Sequence, residues 1–249
     1  MLDIQSNVQP RPASRYHVSL AVDDSEIREA QRLRYKVFAE EMGARLSTIL
    51  PGHDIDLYDP FCDHLLVREL ASGEVVGTYR ILPPDAAKRV GSYYSEQEFD
   101  LTRLNFLRPR MAELGRSCVH PAHRNGTVIA RLWMGLADYM TRYGFEYVVG
   151  CASIGMADGG HIAASVHRQL AERHLAPIEW RTVPRYRLPV ELLDDGQHAA
   201  LPQLIKGYTR LGAMMCGEPA WDPDFNTADL LMLLPMAQLN RSYARRFIG

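Results

Sequence analysis

The sequence has few cysteines, and their spacing is that of neither a disulfide framework nor a zinc site. Among its 249 residues, four are cysteines: Cys62, Cys118, Cys151 and Cys216. No two of them have the CxxC spacing of a metal or redox motif. Disulfide frameworks belong to small secreted domains, whereas scattered free thiols are typical of reducing compartments. We therefore expect reduced cysteines, no metal site and a cytoplasmic protein.

The sequence also has no excess of charge of one sign and no long apolar run. Lys and Arg number 28 and Asp and Glu 30, so the formal net charge of −2 argues against a generally basic nucleic-acid-binding protein. The longest apolar run, 230–234, ends at Pro235, far short of the ~20 residues that span a bilayer. Residues 1–15 lack the apolar segment of a secretory signal. We expect a frayed tail over 1–15 and one domain over 16–249.

The remaining pattern mixes helices and strands without a regular βαβ repeat. With 47% hydrophobic residues, the chain can bury a sizeable core. Alternating apolar residues predict strands over 16–22, 64–69, 74–82, 112–120, 147–152, 179–187 and 229–234. Apolar residues at helical spacing predict helices between Asp23 and Gly43, near 95–99, and over 127–143, 159–174, 202–213 and 240–247. This order indicates an α+β fold around one mixed sheet, with a long loop over 44–60.

Two arginines lie where the pattern predicts core. Arg34 shares a helical face with Phe38, and Arg80 lies inside a predicted strand. Because an unpaired buried charge is costly, a buried Arg34 needs a carboxylate partner. The candidate partners are Asp56, Asp59 and Glu113. The alternatives are that Arg34 extends to the surface with only its stem buried, and that Arg80 lies on a solvated strand face.

An acid and a base also lie in the predicted strand 112–120. Glu113 and Arg116 are three residues apart, so they point to opposite faces of a regular strand. They can face one way only if Gly115 lies at a β-bulge, because a bulge adds one residue to the alternation. A bulge would also leave backbone N–H groups free to bind a ligand.

Two short motifs near this strand resemble other kinds of site. Residues 115–119, Gly-Arg-Ser-Cys-Val, nearly match the nucleophile elbow G-x-S-x-G but end in valine. His120 and His123 flank Pro121, which breaks any helix that would align them as metal ligands. We therefore expect neither a serine hydrolase nor a metal site, and a structural or capping role for the histidines.

The residues after the strand suit a phosphate. Asn125, Gly126 and Thr127 lead into the predicted helix 127–143. Free N–H groups at a helix start attract a phosphate, and glycine lets that phosphate approach the backbone. Alone, the same dipeptide is typical of an ordinary turn.

Together these residues resemble the GNAT superfamily of N-acyltransferases. The closest branch depends on acyl carrier protein and includes the acyl-homoserine-lactone synthases. Its motifs are, in order, Arg-x-x-x-Phe, an Asp-x-x-Asp in a long loop, an Arg-Ile/Leu strand and Glu-Leu-x-Arg. The matching residues here are 34–38, 56–59, 80–81 and 113–116. The chain is most similar to the bacterial L-ornithine Nα-acyltransferases, over nearly everything after residue 15.

This resemblance implies both a fold and a reaction. The fold would be a mostly antiparallel sheet flanked by helices, with a C-terminal helical and strand elaboration. The reaction would transfer a (3-hydroxy)fatty acyl group from acyl carrier protein to the α-amine of L-ornithine, the first step of ornithine-lipid synthesis. The tryptophan of the lactone synthases is absent, which argues against a lactone product. The single glycine at Gly126 suits 4′-phosphopantetheine better than coenzyme A, and no permanently bound cofactor is expected.

The resemblance also implies roles for individual residues. Glu113 would be the general base, with Arg116 beside it. If the two side chains point apart, Arg116 would instead hold Asp56, Asp59 or the substrate carboxylate. The acceptor side would consist of Arg34, Phe38, Asp56, Asp59 and Arg80, with the aspartates as candidates to hold a cationic amine. The thioester would enter between strands 112–120 and 147–152, and N–H groups around Ser117, Cys118 and Val119 would polarise its carbonyl. Its phosphate would lie near Arg124, Asn125, Gly126, Thr127 and Val128.

Several alternatives and partners stay open at this level. The acceptor could be another amino acid, the product could be of the lactone type, and the enzyme could be a coenzyme A-dependent acetyltransferase. A non-catalytic GNAT-like binding module is a further alternative. Acidic carrier proteins need a local basic surface, for which the candidates are Arg124, Arg131, Arg103, Arg108 and Arg110. The predicted helix 240–247 suits either peripheral membrane contact or ordinary packing.

Overall fold

The computed structural model describes residues 14–239, which contain six α-helices. These are α1 (Asp24–Tyr35), α2 (Pro84–Val90), α3 (Thr127–Tyr143), α4 (His161–Arg173), α5 (Val190–Leu193) and α6 (Gln203–Leu211). The Asp23 carboxylate accepts a hydrogen bond from Glu26 N at 3.0 Å and so begins α1 as predicted. The helix continues as a π-helix, Lys36–Glu41, and Gly43 follows with a left-handed φ of 76°.

Eight of the ten strands in residues 14–239 form one mixed sheet. The strands are β1 (Tyr16–Leu20), β2 (Asp63–Glu69), β3 (Val75–Leu82), β4 (Phe99–Asp100), β5 (Met111–Val119), β6 (Tyr147–Gly155), β7 (Val183–Pro184), β8 (Met214–Met215), β9 (Ala220–Asp222) and β10 (Thr227–Pro235). The sheet order is β1-β2-β3-β5-β6-β10-β8, β9 also pairs with β10, and β4 pairs with β7. All of these pairs are antiparallel except β5–β6, which is parallel. The predicted mostly antiparallel GNAT-like sheet is confirmed.

The two faces of the sheet hold different contents. Leu65 and Tyr79 belong to one face, where they pack with α3 residues including Leu132. The side chain next to Tyr79 in the strand, Arg80, therefore points to the opposite face. That second face is covered by α1 and the π-helix, whose Phe38 belongs to the same cluster as Cys118 of β5. This alternation brings the charged residues of β3 under α1.

The predicted bulge lies in β5, at Arg116 and Ser117. Thr78 is paired with Cys118 and Arg80 with Gly115, so Tyr79 faces two residues of β5. Arg116 adopts a left-handed φ of 50°, a conformation that costs a non-glycine residue about 1–3 kcal/mol. The prediction of a bulge is confirmed, but the residue with the unusual backbone follows Gly115 in the chain.

Strands β5 and β6 form a fork. They pair only over residues 111–113 and 147–149 and separate beyond these. Gly150 lies where they part, and a Cβ there would be 2.3 Å from the carbonyl oxygen of Leu114. A glycine is therefore required at the base of the fork.

Most sequence-predicted elements are confirmed, and the exceptions have physical reasons. The predicted strand 179–187 is wrong: a 3₁₀ turn, Ile178–Trp180, precedes the two-residue β7, which ends on Pro184. A proline has no backbone N–H to donate to a neighbouring strand, so Pro184 interrupts the hydrogen bonds that a long strand would need. Helix α2 was missed. The predicted helix 240–247 and most of the predicted tail 1–15 lie outside residues 14–239, and within that range no helix is both long and apolar enough to cross a membrane.

We expect Gly150→Ala to destabilise the protein, because the new methyl group would collide with the backbone of Leu114. Overpacking of this kind costs about 1–3 kcal/mol, or about 2–4 °C in melting temperature per kcal/mol. Gly155→Ala on the same strand is the matched control, since a Cβ at Gly155 meets nothing within 4 Å. Equal melting temperatures of the two variants in calorimetry would contradict the close approach at the fork.

Candidate active site

A cavity of about 330 Å³ opens at the fork between β5 and β6. Its walls come from the π-helix and strands β3, β5, β6, β9 and β10, with α6 at one side. Eight of the residues predicted for the site line it: Phe38, Arg80, Glu113, Arg116, Ser117, Cys118, Val119 and Arg124. The remaining seven, Arg34, Asp56, Asp59, Asn125, Gly126, Thr127 and Val128, do not line it.

Buried ion pairs hold the long loop against the sheet behind this cavity. Arg34 is completely buried, and its Nε lies 2.8 Å from Asp54 Oδ2 while its Nη2 lies 2.7 Å from Asp59 Oδ2. Arg80 Nη1 lies 2.6 Å from Asp56 Oδ1 and 3.0 Å from Asp59 Oδ1. The predicted pairing of Arg34 with Asp59 is confirmed, whereas a surface position for Arg34 and a solvated face for Arg80 are both wrong.

Arg116 completes the same network. Its guanidinium lies 3.2 Å from Asp54 and 3.3 Å from Asp56, and it stacks 4.6 Å from the ring centre of Tyr94 and 4.9 Å from that of Phe225. Three arginines therefore face three aspartates: Arg34, Arg80 and Arg116 against Asp54, Asp56 and Asp59. We call this set the Arg/Asp network.

The charges of this network compensate one another. Burial alone would raise the pKa of Asp59, but Arg34 and Arg80 hold it well below its ordinary value. Burial also acts to raise the pKa of Asp56, but the positive charges of Arg80 and Arg116 outweigh it and lower this pKa below its ordinary value. Asp56 and Asp59 already have arginine partners, which leaves them little negative charge for a substrate amine. That they hold the amine stays a prediction. Asp54 was missed because nothing in the loop sequence singles it out.

Glu113 lies on the cavity wall and is 4% exposed. Its carboxylate accepts hydrogen bonds from Tyr94 N at 2.6 Å, Ser95 N at 2.8 Å and Ser95 Oγ at 2.5 Å. Burial raises the pKa of Glu113 above its ordinary value, although the bonds from Ser95 and Tyr94 lower it in part. Since Arg116 makes its ion pairs with Asp54 and Asp56, Glu113 is left to anchor the 3₁₀ turn Tyr94–Gln97.

The bulge leaves a backbone donor facing the fork. His120 N donates to Val76 O at 2.9 Å, on the β3 side of β5. Because successive N–H groups of a strand point to opposite sides, Val119 N–H points toward the separated β6. A donor at this place can polarise a carbonyl oxygen that lies between the strands.

The loop that follows is the one predicted to hold a phosphate, and that role stays a prediction. Gly126 has a left-handed φ of 86° and precedes α3, whose Thr127 N bonds Asn125 Oδ1 at 3.0 Å. The N–H groups of the next residues in the first helical turn have no intrahelical acceptor. Arg124 donates to both carboxylate oxygens of Glu41, at 2.5 and 2.7 Å, so its charge is partly compensated.

The two histidines of this region have structural contacts. His120 Nδ1 accepts a hydrogen bond from Ala122 N at 3.2 Å, and buried His123 bonds the hydroxyl of Tyr16 at 3.0 Å. The capping and packing roles predicted for them are confirmed. Lys36 Nζ lies 2.9 Å from His120 Nε2, which adds an exposed cation beside the loop.

The basic surface predicted ahead of β5 is at the wrong end of the strand. Arg108 and Arg110 precede Met111, whereas the phosphate loop follows Val119. Eight residues of strand separate the two ends by about 26 Å. Arg103, Arg108 and Arg110 also have other partners, namely backbone carbonyls of Ile178 and Arg181, the Glu96 carboxylate and the Glu146 carboxylate.

A second cavity, of about 100 Å³, adjoins the first and is almost wholly apolar. Four residues line both cavities: Tyr79, Leu114, Cys151 and Tyr208. The hydroxyl groups of Tyr79 and Tyr208 bond each other at this boundary. Tyr208 was missed in the sequence, where it reads as one more apolar residue of a predicted helix.

The chain is similar to known proteins over most of its length. A family model described as the acetyltransferase (GNAT) domain matches residues 33–134. A protein of Rhodobacter capsulatus named L-ornithine N(alpha)-acyltransferase is 39% identical over 255 residues, covering 94% of this chain and 96% of that protein. One of the same name from Brucella abortus is 37% identical over 246 residues, covering 91% and 86%.

Solved structures show the same fold at lower sequence identity. The acyl-homoserine-lactone synthase LasI has a TM-score of 0.53 and 16% identity, over 91% of this chain and 95% of that one. BjaI, a coenzyme A-dependent acyl-homoserine-lactone synthase, has a TM-score of 0.53 and 16% identity, over 93% and 86%. Both likenesses concern the fold alone.

We expect Arg34→Ala to lose stability, because it leaves Asp54 and Asp59 buried without their partner. Breaking a buried pair in this way costs ~3–5 kcal/mol. The lowered pKa of Asp59 contributes stability above its unfolded pKa of ~3.9, and this is lost as the pH falls through the folded pKa. The difference in melting temperature from the wild type should therefore narrow below about pH 4.

Arg32→Ala is the control for this measurement, because Arg32 lies on the same helix and is exposed. It should melt like the wild type. An Arg34→Ala variant that also melts like the wild type at neutral pH would show that the Arg/Asp network does not stabilise the fold.

Proposed function

The chain belongs to the family of L-ornithine Nα-acyltransferases, and from this membership we propose that it acylates the α-amine of L-ornithine. It is an N-acyltransferase of GNAT fold, and an acyl donor is its co-substrate. We propose that the donor is a fatty acyl thioester of acyl carrier protein, and that the product is the lyso-lipid from which ornithine lipid is made. The observation that carries this proposal is the fork, where Glu113 and the Val119 N–H line one cavity beside an apolar one.

The reaction is nucleophilic substitution at the thioester carbonyl. The α-ammonium group of the acceptor loses a proton to Glu113, directly or through a water molecule. The freed amine attacks the carbonyl carbon, and the Val119 N–H stabilises the oxyanion that forms. The C–N bond of the amide then replaces the C–S bond: the oxyanion re-forms the carbonyl, the attacking nitrogen gives up its extra proton, and the phosphopantetheine thiolate takes up that proton and leaves as a thiol.

The apolar cavity supports a fatty chain rather than an acetyl group. It continues from the fork behind Leu114 and Cys151, and its other walls include Trp133, Leu136 and Met232. An acetyl group would fit in the polar cavity and leave this apolar surface unfilled. A chain bound here would be removed from water, which contributes about 0.8 kcal/mol per CH₂ group.

The phosphate loop supports a carrier-bound phosphopantetheine. It offers one glycine, Gly126, and the first turn of α3, which suits a single phosphate. Lys36 and Arg131 are cations beside this loop and on α3, where an acidic carrier protein would dock. The charge is local, because the whole chain has a net charge of −2.

We expect Glu113→Gln to lower kcat by at least ~10-fold near neutral pH, because general-base catalysis contributes about 10²–10⁴-fold. Ser95→Ala should keep the base but raise its pKa, since it removes a hydrogen bond to the charged carboxylate. The acidic limb of kcat/KM against pH should therefore move to higher pH. Ser92→Ala is the control, because Ser92 bonds the Tyr58 hydroxyl rather than Glu113. A limb that does not move in Ser95→Ala would contradict the role of Glu113 as base.

We expect acyl-carrier-protein thioesters to react far better than acyl-coenzyme A, with an apparent KM that rises with ionic strength. Salt shortens the range of charge attraction to ~8 Å at physiological strength, so the encounter should weaken. Lys36→Glu should raise the KM for the carrier donor more than for free acyl-pantetheine. Arg142→Glu, an exposed residue at the far end of α3, is the control. Equal use of acyl-coenzyme A, unaffected by salt, would contradict the carrier-protein assignment.

A further inference from the structure

Two carboxyl groups meet at the cavity wall formed by β10, one of them lining the cavity and the other behind it. Asp229 of β10 lines the cavity and is 4% exposed, and Glu98 follows the turn Tyr94–Gln97 that Glu113 anchors. Ligand atoms of Glu98, Asp229 and Cys151 all lie within 4.8 Å of one another. Asp222, on the neighbouring β9, also lines the cavity.

These acids lack the compensation that the Arg/Asp network has. None of the ion pairs within residues 14–239 includes Glu98, Asp222 or Asp229. The Oε2 atom of Glu98 is enclosed and accepts no hydrogen bond within residues 14–239, although the Glu98 carboxyl group bonds Asp229 and Cys151. Asp229 also accepts a bond from Thr227 Oγ1 at 3.2 Å and bonds Ser153. Burial and the neighbouring carboxylates raise the pKa of Glu98, and burial chiefly raises the pKa of Asp229.

Because burial and the neighbouring carboxylates raise the pKa of Glu98 to about 10, the pair keeps one proton at neutral pH and carries one negative charge. That charge lies at the cavity wall, at Asp229, without an ion pair, so the position suits a cationic ligand. The aspartates of the long loop are less suited to bind a cationic ligand, because three arginines already neutralise them. An ammonium group suits the position, since it brings one positive charge and three hydrogen-bond donors. The orphan Glu98 Oε2 would gain a donor, and Asp229 would gain a counter-charge.

We infer that Glu98 and Asp229 bind the side-chain ammonium group of the acceptor amino acid and so select a diamino acid. This assignment rests on the proposed function, because it presumes an acceptor whose α-amine reacts in the same cavity. Glu113 anchors the turn that ends beside Glu98 and faces the fork itself. The same turn thus fixes the proton acceptor for the α-amine relative to the site for the side-chain ammonium, and Asp222 adds negative potential nearby.

The geometry implies discrimination by absence of a charge. Norvaline has the carbon skeleton of ornithine without the side-chain amine, so it would leave both carboxylates unpaired. A site that hydrogen-bonds a polar group of its substrate strongly rejects an analogue without that group. An apolar pocket that distinguishes substrates by one methylene group is far less selective. Wild-type enzyme should therefore acylate ornithine much better than norvaline.

The test compares kcat/KM for ornithine and norvaline in the full-length wild type, Asp229→Asn and Glu98→Gln. Each substitution should lower the ornithine/norvaline ratio at least ~10-fold while kcat/KM for norvaline changes little. Neither variant should melt far below the wild type without substrate, because an amide of the same size can still make the hydrogen bond between the two side chains. Asp224→Asn, an exposed acid on the same hairpin, removes the same charge and should keep the wild-type ratio.

Each other outcome has a distinct meaning. Equal use of ornithine and norvaline by the wild type would contradict the proposed function itself. A wild-type preference that survives both substitutions, or variants that lose both substrates alike, would overturn only the assignment of Glu98 and Asp229. A preference that disappears when the wild type is dialysed against a chelator would show a metal ion at the cluster instead. Calorimetric titration with ornithine gives a second readout, in which both variants should bind more weakly than Asp224→Asn.

Discussion

The pairing of three buried arginines with three buried aspartates is the interaction on which the rest of the site depends. Arg34 and Arg80 come from a helix and a strand on the same face of the sheet, and they meet Asp59 from opposite sides. Each charge would be costly alone, so the long loop has one position in which all are satisfied. With that loop fixed, one side of the cavity is rigid and electrically neutral.

The Arg/Asp network is neutral, so the charge of the cavity comes from the acids on its other side. Within residues 14–239, Glu113, Asp222 and Asp229 line the cavity without an ion pair, and Glu98 lies beside Asp229. The surroundings of Glu113 and Glu98 give these two acids different capacities. Glu113 accepts three hydrogen bonds and still faces the fork, whereas Glu98 Oε2 has no donor. One chain segment, the turn Tyr94–Gln97, connects the two positions. The α-amine of the acceptor would therefore lose its proton at Glu113, while the side-chain ammonium group would keep its proton at Glu98 and Asp229.

The sequence predicted those parts of the site that depend on local pattern. The bulge followed from an acid and a base at odd spacing beside a glycine. The need to neutralise a charge on an apolar helix face gave three candidate partners for Arg34, and one of them, Asp59, is one of its two partners in the structure. The predicted start of α3 at Thr127 was likewise local, and the phosphate site beside it stays a prediction. Long-range proximity was not predictable: Glu98 and Asp229 are 131 residues apart (229 − 98). They meet because β10 pairs with β6 and because Glu113 of β5 anchors the turn that precedes Glu98. Asp229 did carry a signal, since it is an acid at the start of an apolar strand, as Glu113 is. The arginines before β5 were expected near the loop that follows the strand, because the two segments are close in sequence. They lie at the opposite end of the strand.

The central claim is that one end of a diamino acid reacts at the fork while the other is held as an ammonium ion. The most direct measurement is the position of the amide in the product made by the purified full-length protein from acyl carrier protein thioester and L-ornithine. Fragmentation in tandem mass spectrometry distinguishes the α-amide from the side-chain amide. The account predicts the α-amide as the sole product. A side-chain amide, or a mixture of the two, would contradict it.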